Sequence, residues 1–174
     1  MVYQSTIGSP EYDTYILIRQ THELLDKVFT RRCQMHGTTP SAVDVLYTVL
    51  AGQKPMSAYR LARILGREHH SIVEIVNRLK RKGLITRVKA EGKSSLEVTE
   101  AGKEIVAKVL SNRVLLSVLR SVGPDTLRQL RESLLPLRAE AMHELGLMDY
   151  GELKFASADE VLRIVDPTSQ RATL

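Results

Sequence analysis

Three observations predict a mainly α (α+β) fold. Residues Met56 to Leu84, MSAYRLARILGREHHSIVEIVNRLKRKGL, divide at Gly66 into two short amphipathic helices. The next stretch, ITRVKAEGKSSLEVTEAG, reads as two strands around a charged tip that contains glycine. Long apolar stripes with helical spacing run on either side of this centre. Helix, turn, helix and basic hairpin together make a winged helix-turn-helix with a two-stranded wing. Such a module sets one helix in the DNA major groove.

In chain order, residues 1–10 read as a loose arm, with Gly8 and Pro10 as breakers. A long helix starts near Pro10, which suits a first helical turn. Tyr15, Ile18, His22, Leu25 and Phe29 recur along one face, and Leu17, Leu24 and Val28 widen the stripe up to Gly37. The Thr38-Thr39-Pro40-Ser41 turn and cap lead into a helix over SAVDVLYTVLA, which breaks at Gly52–Pro55. After the helix-turn-helix and hairpin, Thr99-Glu100-Ala101-Gly102 opens a helix whose apolar positions continue to Leu119. Gly123-Pro124-Asp125 restarts the chain in a helix reaching Leu145, with Pro136 inside it, and Gly146 ends it. One more short helix is predicted in the tail, from a Ser157 cap. The resulting division is an N-terminal arm and dimerisation helix (1–37), a DNA-binding lobe (38–98), C-terminal dimerisation helices (99–146) and a tail (147–174). The outer helices carry more apolar stripe than one small lobe covers, which implies a two-fold homodimer.

The chemistry sits on the second helix of the pair. Ile72, Ile75, Val76 and Leu79 form its inner face and leave His69, His70, Ser71, Glu74, Asn77, Arg78 and Arg81 outside. A recognition helix uses its first residues on base edges. That selects His69, His70, Ser71 and Glu74, with Val73 toward a thymine methyl; a glutamate accepts from the cytosine amino group and asparagine reads adenine. Arg78, Lys80, Arg81 and Lys82 supply charge for phosphates. On the hairpin, Arg87, Lys89 and Lys93 suit phosphate or the minor groove.

Composition fits this reading. The 174 residues hold 25 Lys/Arg against 20 Asp/Glu, a net charge of +5, and no Asp falls between Tyr59 and Lys93. A lone cysteine, Cys33, excludes an internal disulfide and any CxxC metal spacing. Its neighbours Arg31 and Arg32 would lower a thiol pKa and make a redox role available, whereas the alternative is an inert, partly buried thiol. Tyr12, Tyr15, Arg19 and His22 share the first helix and suit either a ligand pocket or a dimer interface. His69 and His70 are adjacent, so they point apart and form no metal site. No cofactor is expected. There is no GxSxG, no phosphate-cradling loop and no metal-ligand set, which argues against an enzyme. No apolar run approaches a membrane span and no signal pattern opens the chain, so a cytoplasmic location follows by default. Other functions for this layout are a protein-interaction adaptor or a sequence-blind architectural DNA binder.

Three segments, LARILG, SIVEIVNRLKRKGLITR and LEVTEAGKEI, resemble the multiple-antibiotic-resistance regulator (MarR) family, over roughly residues 10–146. The resemblance implies a transcriptional regulator that is an obligate homodimer with interleaved first and last helices. It implies binding to a pseudo-palindromic operator, and release by a small-molecule effector or an oxidant. The effector would sit between the dimer helices and the DNA-binding lobe, and some relatives sense peroxide through a cysteine near the N-terminus. This chain departs from the pattern at three places. The tip Ala90-Glu91-Gly92-Lys93-Ser94-Ser95 has no arginine, leaving Lys93 as the nearest substitute. Glu74 stands where a basic residue is usual, and would need a base amino group or Arg78, one turn on, to offset its charge. The tail also runs past the family's usual end.

Overall fold

The computed structural model describes residues 8–52, 55–90, 93–110 and 113–147. Along them run α1 (Pro10–Met35), α2 (Pro40–Ala51), α3 (Ala58–Leu65), α4 (His69–Arg81), β1 (Ile85–Ala90), β2 (Lys93–Val98), α5 (Glu100–Leu110), α6 (Arg113–Arg120) and α7 (Pro124–Glu144). The tail helix predicted from Ser157 lies outside the described residues. Among the described residues, no helix is long and apolar enough to cross a membrane.

The helix ends follow local chemistry. Ser9, Thr39 and Ser57 cap α1, α2 and α3 by accepting from the amides of Tyr12, Ala42 and Arg60. Proline occupies the first position of α1, α2 and α7. Gly66 closes α3 at φ +60°, in the left-handed region that allows the sharp turn into α4. Within the apolar pattern from Thr99 to Leu119, the described residues form α5 and α6.

The core sits in the central lobe. Ala42, Val45 and Leu46 of α2, Leu61, Ala62 and Ile64 of α3, and Ile72, Ile75, Val76 and Leu79 of α4 share one buried cluster with Met56, Ile85, Leu96 and Val106. Each large side chain so buried is worth roughly 1.5–3 kcal/mol. The hairpin is antiparallel, with Ile85 opposite Val98 and Ala90 opposite Lys93. Pairing therefore extends further out than the six-residue tip read from the sequence, and Lys93, Ser94 and Ser95 belong to β2. A feature the sequence did not suggest is a backbone edge added to this hairpin. The Leu96 N–H donates to the Met56 carbonyl at 2.8 Å, and the Met56 N–H donates to the buried Ser95 hydroxyl at 3.0 Å.

Two joints hold the outer helices to the lobe. At the first, the Thr99 amide donates to the Leu84 carbonyl (3.2 Å), and the Thr99 hydroxyl donates to the Gly83 carbonyl (2.7 Å) and accepts from the Gly102 N–H (3.2 Å). The buried Gly102 then lies so close to the Leu84 carbonyl that a Cβ would stand 2.2 Å from its oxygen. The TEAG sequence thus ties the start of α5 to the turn after α4. At the second, the end of α7 returns to α3: Arg138 donates to the Ile64 carbonyl (3.2 Å) and Arg63 to the Gly146 carbonyl (3.4 Å).

Beyond α5, which buries Val106 and Val109, the outer helices are largely bare. The 21-residue α7 buries no residue and leaves Leu130, Leu134, Leu135 and Leu137 exposed. In α1 only Cys33 is buried, packed with Val43 and Val109, and Tyr12, Tyr15, Leu17, Ile18 and Leu24 are exposed.

Gly102→Ala is expected to destabilise the fold by about 1–3 kcal/mol, because the new methyl must displace backbone rather than a flexible side chain. Urea unfolding followed by circular dichroism measures it.

Candidate nucleic-acid interface

Because α4 buries Ile72, Ile75, Val76 and Leu79, its opposite side faces solvent. His69, His70, Glu74, Asn77, Arg78 and Arg81 are exposed there, whereas Ser71 and Val73 are half-buried at the edge of the face. His70, Glu74, Arg78 and Arg81 follow one another at three- and four-residue steps, so they form one stripe. Glu68 precedes α4 without a side-chain cap, and the Ile72 N–H to Glu68 carbonyl bond (3.2 Å) comes only after the amides of His69, His70 and Ser71. These amides stand at the positive end of the helix, which favours an anion. At the other end Arg78, Lys80 and Arg81 complement the helix dipole. Arg87 and Lys89 are exposed on β1, two residues apart, and Lys93 pairs with Ala90 at the outer end of the hairpin.

The pairing of Glu74 with Arg78 that would offset its charge is not formed. Among the described residues, neither side chain is in an ion pair. Glu74 keeps its carboxylate free on the exposed edge.

Two residues absent from the sequence-predicted set belong to this region. Arg67, in the turn between the helices, donates to the Ser41 hydroxyl at 2.6 Å and pairs with the Asp44 carboxylate at 3.2 Å, fastening the turn to α2. Burial pushes the Asp44 carboxyl up, with Arg67 opposing. Tyr59, on α3, meets His69 edge-on, with ring centroids 6.1 Å apart. Neither partnership has a sequence signal, since each joins residues on separate helices or turns.

Tyr12, Tyr15, Arg19 and His22 line one exposed stripe of α1; the two tyrosine rings lie 6.3 Å apart and Arg19 pairs with Glu23 at 2.9 Å. A cleft of about 400 Å³ lies elsewhere, between the end of α2, Met56, β2 and Lys103 of α5. Glu140, His143 and Glu144 of α7 do bring ligand-type atoms together, but all three are exposed, as such groups commonly are without an ion.

Of the two readings of Cys33, its surroundings fit the inert, buried thiol rather than one activated by its arginine neighbours. It is fully buried, and burial, with Asp44 and Asp26 adding negative charge, pushes the thiol up to about 11. Arg32 is directed away, donating to the Lys108 carbonyl at 2.6 Å.

A three-element helix-turn-helix with a hairpin wing, an exposed polar edge on its second helix and long outer helices defines a winged-helix fold. A model of the MarR family matches residues 36–93, from the turn before α2 to the start of β2. The lobe is thus similar to the MarR family over these residues. Solved structures agree in fold. A MarR family protein from Bacillus stearothermophilus has a TM-score of 0.63 at 21% identity, covering 75% of this chain and 94% of its own. MepR of S. aureus, in a complex with DNA, has 0.63 at 17% identity, covering 77% and 99%. CouR of Rhodococcus jostii RHA1, bound to p-coumaroyl-CoA, has 0.62 at 17%, covering 75% and 94%. A comparison with curated proteins returns no match.

Iodoacetamide should alkylate Cys33 of the folded protein at pH 8 at least about 100-fold more slowly than in denaturant, because the thiol is raised from 9.0 to about 11 and is also shielded. Since the folded value is the higher one, this group favours the folded state below pH 9 and loses that contribution as pH rises toward 11.

Proposed function

We propose that the protein is a homodimeric, sequence-specific DNA-binding regulator, a repressor released by a small ligand. The observation that carries this reading is the exposed edge of α4. Its polar and basic side chains stand on a helix whose other face is locked into the core, which fits a rigid reading element in the major groove. His69, His70, Ser71, Val73 and Glu74 read bases, Asn77, Arg78 and Arg81 meet base or backbone further along, and Arg87, Lys89 and Lys93 hold phosphate from the wing. The lobe over 38–98 reads, and the helices over 10–37 and 99–146 dimerise. The exposed leucines of α7 and the bare face of α1 support that division, since a second copy would bury both. A cytoplasmic location fits this reading.

A small ligand is favoured over an oxidant as the releasing signal, because Cys33 is buried and its thiol is held protonated. CouR, of like fold, holds a CoA thioester. Tyr12, Tyr15, Arg19 and His22 would line the corresponding space once a partner chain closes over α1.

A gel shift on the DNA upstream of the protein's own gene tests the reading, with binding expected to survive non-specific competitor. Neutralising roughly 6–10 phosphates predicts an affinity loss of about 10³–10⁵-fold between 50 and 200 mM salt, and a flat response would remove the proposal's basis. Ser71→Ala or His70→Ala should cost about 1–3 kcal/mol on the operator and relax base preference, whereas Arg87→Ala or Lys93→Ala should weaken all sequences alike. Identical behaviour of the two groups would contradict the division into readers and clamps.

A further inference from the structure

We propose that Tyr59 is a specificity-determining positioning residue: its ring holds His69 in one orientation at the start of α4, and its hydroxyl donates to a neighbouring DNA phosphate. This rests on the reading of α4 as the base-reading helix.

Tyr59 lies in the first turn of α3, two residues after the Ser57 cap, yet it is 57% exposed. Its ring meets the His69 imidazole at 6.1 Å and 62°, an edge-to-face arrangement within the range aromatic pairs prefer. His69 is the first residue of α4, so this contact sits at the end of the helix that enters the groove. Nothing else orients the imidazole: among the described residues it has no hydrogen bond or ion pair, and Glu68 beside it makes no side-chain cap. Without Tyr59 the imidazole would sample its rotamers freely, and a freely rotating side chain discriminates poorly between base edges. The Tyr59 hydroxyl has no protein partner among the described residues either. In a helix-turn-helix the first helix crosses the DNA backbone, which places a phenol on its first turn beside phosphate.

The two roles separate by substitution. Tyr59→Phe keeps the ring and removes the hydroxyl, and Tyr59→Ala removes both. Neither opens a cavity, because the side chain is largely exposed, and unchanged thermal melts would verify this. The measurement is competition binding by the full-length protein, using the operator and single base-pair variants across each half-site. Tyr59→Ala is expected to lose about threefold to tenfold of the discrimination at the base pair where His69→Ala also loses it. The double variant should discriminate no worse than His69→Ala alone. Tyr59→Phe should retain discrimination while binding every sequence more weakly. Unchanged discrimination in Tyr59→Ala, additive losses in the double variant, or full affinity of Tyr59→Phe would overturn the assignment. A wild-type protein with no base preference would instead overturn the underlying reading of α4, and Tyr59's role with it.

Discussion

The proposed function depends on how firmly one face of α4 is buried. Ile72, Ile75, Val76 and Leu79 enter the same core as α2 and α3 and leave the helix no rotational freedom. A helix held by four side chains on one face presents a fixed stripe on the other, and fixed geometry is what base readout requires. The turn at Gly66, the Arg67 tie to Ser41 and Asp44, and the Thr99–Leu84 joint brace the same element from three sides. A signal reaching this lobe through the outer helices would act on its placement, which sets where α4 points.

That placement is governed at few points. The core lies in the lobe and in the face of α5 packed on it, while α7 runs 21 residues without burying one. Its far end nevertheless returns to the helix-turn-helix, where Arg138 and Arg63 exchange hydrogen bonds with carbonyls across the gap. Such contacts satisfy carbonyls near the ends of two helices at once. They join the bare, leucine-rich arm to the turn that aims α4, the connection a dimer-based switch would use.

The sequence made the lobe legible because its signals are local. Spacing revealed both faces of α4, and capping residues with glycine and proline marked most helix ends. What it hid were contacts made across the fold. A single residue, Met56, pairs with β2 without an alternating run to announce it. Tyr59 and His69 meet from different helices, and Arg67 finds its partners on α2. Cys33 stayed open between two readings because its neighbours in sequence are arginines, while those in space include Val43, Val109 and the charges of Asp44 and Asp26. The wing showed its two strands in sequence but not how far out they pair, since Lys93 reads as part of a turn until its register with Ala90 is known.

The central claim is that two copies of α4 present this edge to DNA in a fixed, symmetric arrangement. Selection of bound sequences from random double-stranded DNA by the full-length protein tests it most directly. The account predicts an enriched pseudo-palindrome with half-sites about one helical turn apart or slightly more. Recovery of no common sequence, or of a single unrepeated half-site, would contradict it.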